Sequence, residues 1–136
     1  MTHAPDSNVV LITGTSSGIG LHAAIAAARA GHTVVATMRN LEGARALRDA
    51  AADAEVSLDI RRLDVTEPQA ATDAVAGTID RHGRLDALIN KAGSGRLGTI
   101  ENETVDDVRA VMEVNFFGVV DSHGPRSPFS GAARAG

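Results

Sequence analysis

An apolar run, Val9-Val10-Leu11-Ile12, leads straight into Thr13-Gly14-Thr15-Ser16-Ser17-Gly18-Ile19-Gly20. A strand that ends in three glycines at this spacing opens a helix onto a phosphate group. Gly14 permits the turn, Gly18 removes a Cβ from the path of an approaching pyrophosphate, and Gly20 lets the helix pack close to the strand. The start of that helix presents N–H donors. Glycines also mark ordinary turns; the strand before and the helix after favour the phosphate reading.

The rest of the chain repeats the alternation. Short β-branched runs predict strands over 9–13, 33–38, 56–63 and 85–90, separated by helical segments. The first helix, over 18–30, is alanine-rich and closed by Gly31; the second, over 41–52, repeats Leu41, Ala44, Leu47 and Ala51 on one face. Thr66 with Gln69 reads as a capping box for a third helix that carries Ala71, Val75 and Ile79 inward and ends at Gly83. Thr104 and Asp107 look like a weaker version of the same device, opening a fourth helix that buries Val105, Val108, Met112 and Val119. Such βαβα alternation implies an α/β fold: a doubly wound parallel sheet of order 3-2-1-4, with right-handed crossovers. Ligands of such sheets sit beyond the carboxyl ends of the strands where the order reverses, here between the first and fourth strands.

Composition removes several classes of function. The 136 residues suit one domain that buries about two thirds of its unfolded surface. A formal charge of -4, with no Trp or Tyr, gives neither a basic footprint nor stacking platforms, so nucleic acid is not an expected partner. Without cysteine there is no disulfide framework, thiolate metal site or thiol nucleophile. The five histidines show no ligand spacing, so no metal is expected. The acidic group Glu101, Glu103, Asp106 and Asp107 reads as a solvated helix start matched to the helix dipole. No signal-like leader or membrane-length apolar run is visible, which points to a cytoplasmic chain with no membrane partner.

At the end of the second strand, where NAD-binding proteins tend to place an acid on the ribose 2′-hydroxyl, stand Met38 and Arg39. An arginine there can make charge-assisted hydrogen bonds to a 2′-phosphate, so NADP is favoured over NAD as cofactor. The alternative is a solvated arginine at a strand end.

Three later features complete a set: Asp64-Val65 after the third strand, Asn90-Lys91-Ala92-Gly93 after the fourth, and Asn115 in Val114-Asn115-Phe116-Phe117-Gly118. Together with the glycine loop they resemble the short-chain dehydrogenase/reductase family over about residues 8–120. Residues 35–40 and 90–98 look most like its 17β-hydroxysteroid and retinol dehydrogenase branch. The resemblance implies a Rossmann-type dinucleotide-binding domain over 1–120 and an alcohol/carbonyl oxidoreductase function. It places Gly14, Ser16, Ser17, Gly18, Ile19 and Gly20 around the pyrophosphate, Asp64 on the adenine amino group with Val65 on the ring, and Asn90, Ala92 and Gly93 beside the adenosine ribose. It makes Asn115 the active-site asparagine that holds a water in the proton relay. Asp64 capping the next helix and Asn115 satisfying a frayed helix end remain the alternatives. Lys91 departs from the family, whose usual residue there is an asparagine tying the central strands; its charge could lie in solvent over its apolar stem.

The resemblance also shows what is missing. The family's proton transfer uses a tyrosine with a lysine one helical turn later and a serine; this chain has no tyrosine, Lys91 as its single lysine, and no serine in a matching motif. Hydride transfer between alcohol and carbonyl needs that proton. Segment 121–136, with two of the four prolines and no periodicity, reads as an irregular tail of a truncated domain, such as a shifted reading frame would leave. An alcohol or carbonyl substrate is therefore expected only for a completed chain. The fourth strand, apolar yet at an edge, invites self-association. Two other readings stand: a non-catalytic nucleotide-binding regulatory module, and a nonfunctional remnant of a disrupted reductase gene.

Overall fold

A computed structural model of the chain describes residues 7–93 and 104–112. The elements run β1 (Val9–Ile12), α1 (Gly18–Arg29), β2 (Thr33–Met38), a 3₁₀ turn (Leu41–Ala44), α2 (Arg45–Asp53), β3 (Asp59–Arg62), α3 (Pro68–His82), β4 (Ala87–Ile89) and α4 (Val105–Met112). All strand pairs are parallel and the sheet order is β3-β2-β1-β4. This is the doubly wound order that the alternation of runs predicts.

Strand composition follows position in the sheet. β1 is buried along its whole length and β2 at all but its first residue, because central strands of a parallel sheet are covered on both faces. On one face Val10, Ile12, Val34, Ala36 and Met38 pack with Leu21 and Ala24 of α1 and Leu47 of α2. On the other, Val9, Leu11 and Val35 pack with Val75 of α3 and with Leu85. Full burial of each large aliphatic side chain contributes about 1.5–3 kcal/mol, so the two central strands carry the core. The edge strands β3 and β4 are at best half-buried, with Arg62 and Ile89 exposed.

The strands after β2 are shorter than expected. β3 begins at Asp59 because α2 ends in a left-handed Glu55 (φ 56°), with the Glu55 and Val56 amides returned to the Ala52 and Ala51 carbonyls. β4 is reduced to three residues: Asp86, just before it, exchanges backbone and carboxylate bonds with Val9 instead. The second helical segment starts as a 3₁₀ turn capped by the Asn40 side chain, which leaves Leu41 exposed while Ala44, Leu47 and Ala51 are buried.

The two expected capping boxes exchange ranks. Thr66 does not cap α3: its hydroxyl and amide both donate to Asp64 Oδ1, Gln69 bonds Asp73, and the N-cap is Glu67, whose side chain makes no cap bond. Pro68 sets the first turn instead. The Thr104–Asp107 box is formed reciprocally, with Thr104 N donating to Asp107 Oδ2 and Asp107 N donating to Thr104 Oγ1 (3.0 and 3.1 Å). The α4 burial pattern is not as expected, since Val105 and Met112 are exposed. α4 follows β4, itself a half-covered edge, and Val105 is 67% exposed and Met112 41%. Val119, Asn115, Glu101, Glu103 and segment 121–136 lie outside the described residues, and so does the side chain of Val108.

Candidate functional site

The carboxyl ends of all four strands open into one cleft of about 430 Å³. After β1 come Gly14, Ser16, Ser17, Ile19 and Gly20; after β2, Arg39; after β3, Asp64 and Val65; after β4, Ala92 and Gly93. Ten residues singled out from the sequence thus share one wall-to-wall space. Gly18 and Asn90 are not among its lining residues, and Asn115 lies outside the described residues. Met38, Leu63 and Lys91 line the cleft without having been assigned to it. All three flank expected site residues at strand ends, so the rule that ligands sit at the carboxyl ends of strands was signal enough to find them.

The floor of the cleft is the start of α1. Its N-cap, Ser17, has extended backbone (φ -162°) and makes no side-chain cap bond, so the first-turn amides are not satisfied by their own cap. The first helical bond runs from Leu21 N to the Ser17 carbonyl. Gly14 has φ +68°, and a Cβ there would stand 2.6 Å from Ala92 Cα. Gly20 is needed for a different contact than the expected one against the strand: a methyl would overlap the Gly14 carbonyl, so helix and turn are interlocked. Around Gly18 (φ +59°) nothing lies within 4 Å of where a Cβ would be, which leaves its approach open.

Buried threonines fix this loop to the sheet. Thr15 donates to the Thr37 carbonyl through both its amide and its hydroxyl, and the Thr37 hydroxyl donates to the Ile12 carbonyl. Thr13 joins β1 to the segment after β4: its amide donates to the Ile89 carbonyl, and its Oγ1 accepts from the amides of Lys91 and Ala92, both at 3.0 Å. This tie is made to the backbone of residue 91, whatever its side chain. Lys91 itself is exposed.

Asp64 and Arg39 carry the charge. Burial opposes ionisation of Asp64, but hydrogen bonds from the Thr66 hydroxyl and amide, with the nearby charges of Arg39 and Arg62, hold its carboxyl below the usual carboxylate range. Asp64 is therefore an anion and an acceptor at neutral pH. Its turn with Thr66 precedes α3, whose N-cap is Glu67 rather than Asp64. Among the described residues no group of three or more His, Cys, Asp or Glu could hold a metal ion, and no helix is long and apolar enough to cross a membrane.

A glycine loop under an uncapped helix start, at the carboxyl ends of a parallel sheet, is matched by comparison with known proteins. The sequence pattern of the short chain dehydrogenase family fits residues 8–124. The chain belongs to this family. Its members are oxidoreductases that bind nicotinamide dinucleotides. Estradiol 17-beta-dehydrogenase 1 of Rattus norvegicus is 40% identical over 121 residues, covering 85% of this chain and 35% of that protein. Retinol dehydrogenase 8 of Bos taurus is 37% identical over 124 residues, covering 88% and 38%. A short-chain dehydrogenase from Streptomyces avermitilis superimposes with a TM-score of 0.78 at 34% identity, over 88% of this chain and 43% of that one. The chain thus spans less than half the length of these relatives. The steroid and retinol branch suggested by residues 35–40 and 90–98 is represented among them.

The cleft suits the cofactor class of the family. Its helix start lacks a side-chain cap, Gly14 and Gly20 bring the backbone to its wall without side chains, and a cationic and an anionic side chain stand at neighbouring strand ends.

Proposed function

We propose that residues 1–120 form the NADP(H)-binding part of a cytoplasmic alcohol/carbonyl oxidoreductase, with NADP preferred over NAD. One observation carries the preference: Arg39, at the carboxyl end of β2, lines the same cleft as the uncapped start of α1, and Met38 and Asn40 beside it offer no carboxylate for a ribose 2′-hydroxyl. An arginine guanidinium gives a 2′-phosphate charge-assisted bonds worth about 1.5–3 kcal/mol each. In this reading the Gly14–Gly20 loop and the α1 amides hold the pyrophosphate, Asp64 accepts from the adenine, Val65 packs on its ring, and Asn90, Ala92 and Gly93 line the ribose.

A bound nicotinamide supplies or accepts hydride. The proton that must accompany it has no phenol donor here, because the 136 residues contain no tyrosine. Asn115 is assigned as the asparagine of the relay, but the chain is proposed not to turn over alone. The same lack of a phenol supports a second reading, a nucleotide-binding module that acts through occupancy. Calorimetric titration with NADPH and NADH tests the cofactor assignment. NADPH should bind more tightly, and Arg39→Asp should abolish the preference; equal affinities in the unmutated chain would refute it. Assay with carbonyl substrates then separates enzyme from binder.

A further inference from the structure

Lys91 has no role in the reading above, yet it lines the cleft. It is the single lysine of the chain. Its backbone is clamped, since its amide donates to Thr13 Oγ1 and the next residue packs against Gly14. Its side chain is exposed, and among the described residues it forms no ion pair, whereas Arg61, Arg62, Arg81 and Arg84 are all engaged with carboxylates. In the order β2-β1-β4, the glycine loop after β1 stands between Arg39 on one side and Lys91 on the other. The two cationic residues that line the cleft therefore lie at strand ends on opposite sides of the β1 loop. An ammonium is a compact donor with three N–H groups on a flexible stem, suited to a phosphate oxygen rather than to one fixed bidentate geometry.

We propose that Lys91 is a phosphate-binding residue of the cleft, its ammonium meeting the dinucleotide pyrophosphate from the β4 side while Arg39 meets the 2′-phosphate from the β2 side. The proposal rests on the dinucleotide reading and adds a different signature to it. Arg39 distinguishes NADP from NAD; Lys91 strengthens both alike, because both carry the pyrophosphate.

The single lysine allows the test to be run on the unmutated chain. With limiting acetic anhydride and mass-spectrometric readout, NADP⁺, NAD⁺ and ADP-ribose should each slow acetylation of Lys91 several-fold, leaving the N-terminal amine as an internal control. Adenosine 2′-monophosphate, which lacks the pyrophosphate, should not. In calorimetry, Lys91→Met should lower the affinity for NADP⁺ and NAD⁺ by the same factor, about tenfold, as expected for one charge-assisted bond, and Lys91→Arg should keep most of it. Full reactivity of Lys91 in a chain that demonstrably binds NADP⁺ would overturn the proposal and leave the function reading intact. So would a Lys91→Met variant that binds both dinucleotides normally, or one that loses NADP⁺ alone. Absence of dinucleotide binding by the unmutated chain would sink both. If Lys91→Met does not fold, the protection experiment still decides.

Discussion

Replacing Thr13 by valine should expose how much one hydroxyl contributes to the site. The β1–β4 ladder ends at the Ile12–Ile89 pair, because β1 turns away at Gly14. Beyond that point Thr13 Oγ1 stands in for the missing strand carbonyl and accepts two amides, those of Lys91 and Ala92, at 3.0 Å each. Thr13 is only 1% exposed, so valine fills the same volume but leaves both donors without that acceptor. A buried donor left unsatisfied costs about 1–3 kcal/mol. Residue 91 is exposed and residue 92 half-buried, so water recovers part of this, and a total of about 2–3 kcal/mol is expected. Thr13→Ser keeps both bonds and loses one methyl, for about 1 kcal/mol. Urea unfolding of the two variants should therefore place Thr13→Val below Thr13→Ser, by about 1 M in midpoint at the m-values usual for small domains. Hydrogen exchange at the Lys91 and Ala92 amides should quicken in the valine variant only. If Thr13→Val were as stable as Thr13→Ser, the hydroxyl would not be the tie described, and the cleft wall at Ala92 would owe its position to packing against Gly14.

Three further outcomes follow from the geometry. Glu55→Gly should stabilise the chain by about 0.5 kcal/mol in thermal unfolding, because relief of the left-handed backbone exceeds the added chain entropy; destabilisation would contradict this. Gly20→Ala should cost about 1–3 kcal/mol by forcing α1 off the Gly14 turn, and should weaken nucleotide binding, whereas an unchanged unfolding midpoint would show that the loop yields freely. For Asp59, burial opposes ionisation, but bonds from Arg61 and His82 and the charges of Arg61 and Arg81 hold its carboxyl below the usual range. Its folded pKa is depressed, so its stabilisation is present above the unfolded value of about 4 and is lost as pH falls through the folded one. Asp59→Asn should flatten that acid limb of a stability-against-pH curve and cost about 1–2 kcal/mol at neutral pH; an unaltered limb would assign the acid sensitivity to other carboxylates.

Much of the site could be read from local signals, because strand ends, glycine spacing and helix starts are written in consecutive residues. The end of an apolar run places Arg39, the family resemblance places Asp64, and both line the cleft. What failed were inferences about partners. Thr66 has the spacing for a capping box with Gln69, but Asp64, two residues before it, is the nearer acceptor and takes the Thr66 amide that the Gln69 side chain would have bonded. Val105 and Met112 have helical period, but period says only that a face exists. The pairing of Asp59 with His82, at 2.9 Å, joins residues 23 apart in sequence and no motif announces it.

Hydrophobic periodicity and glycine placement, properties of neighbouring residues, were sufficient to determine an α/β chain of four parallel strands with a glycine-rich loop after the first. Tertiary structure alone decided how the strand ends share one space. Thr13 reaches across to residues 78 and 79 positions later, Gly20 locks onto the Gly14 carbonyl, and Lys91 turns from a departure in a motif into a cation of the cleft. The reason is physical: a parallel sheet brings together ends that are distant along the chain, and hydrogen-bond partners at that range are chosen by geometry that sequence spacing does not encode.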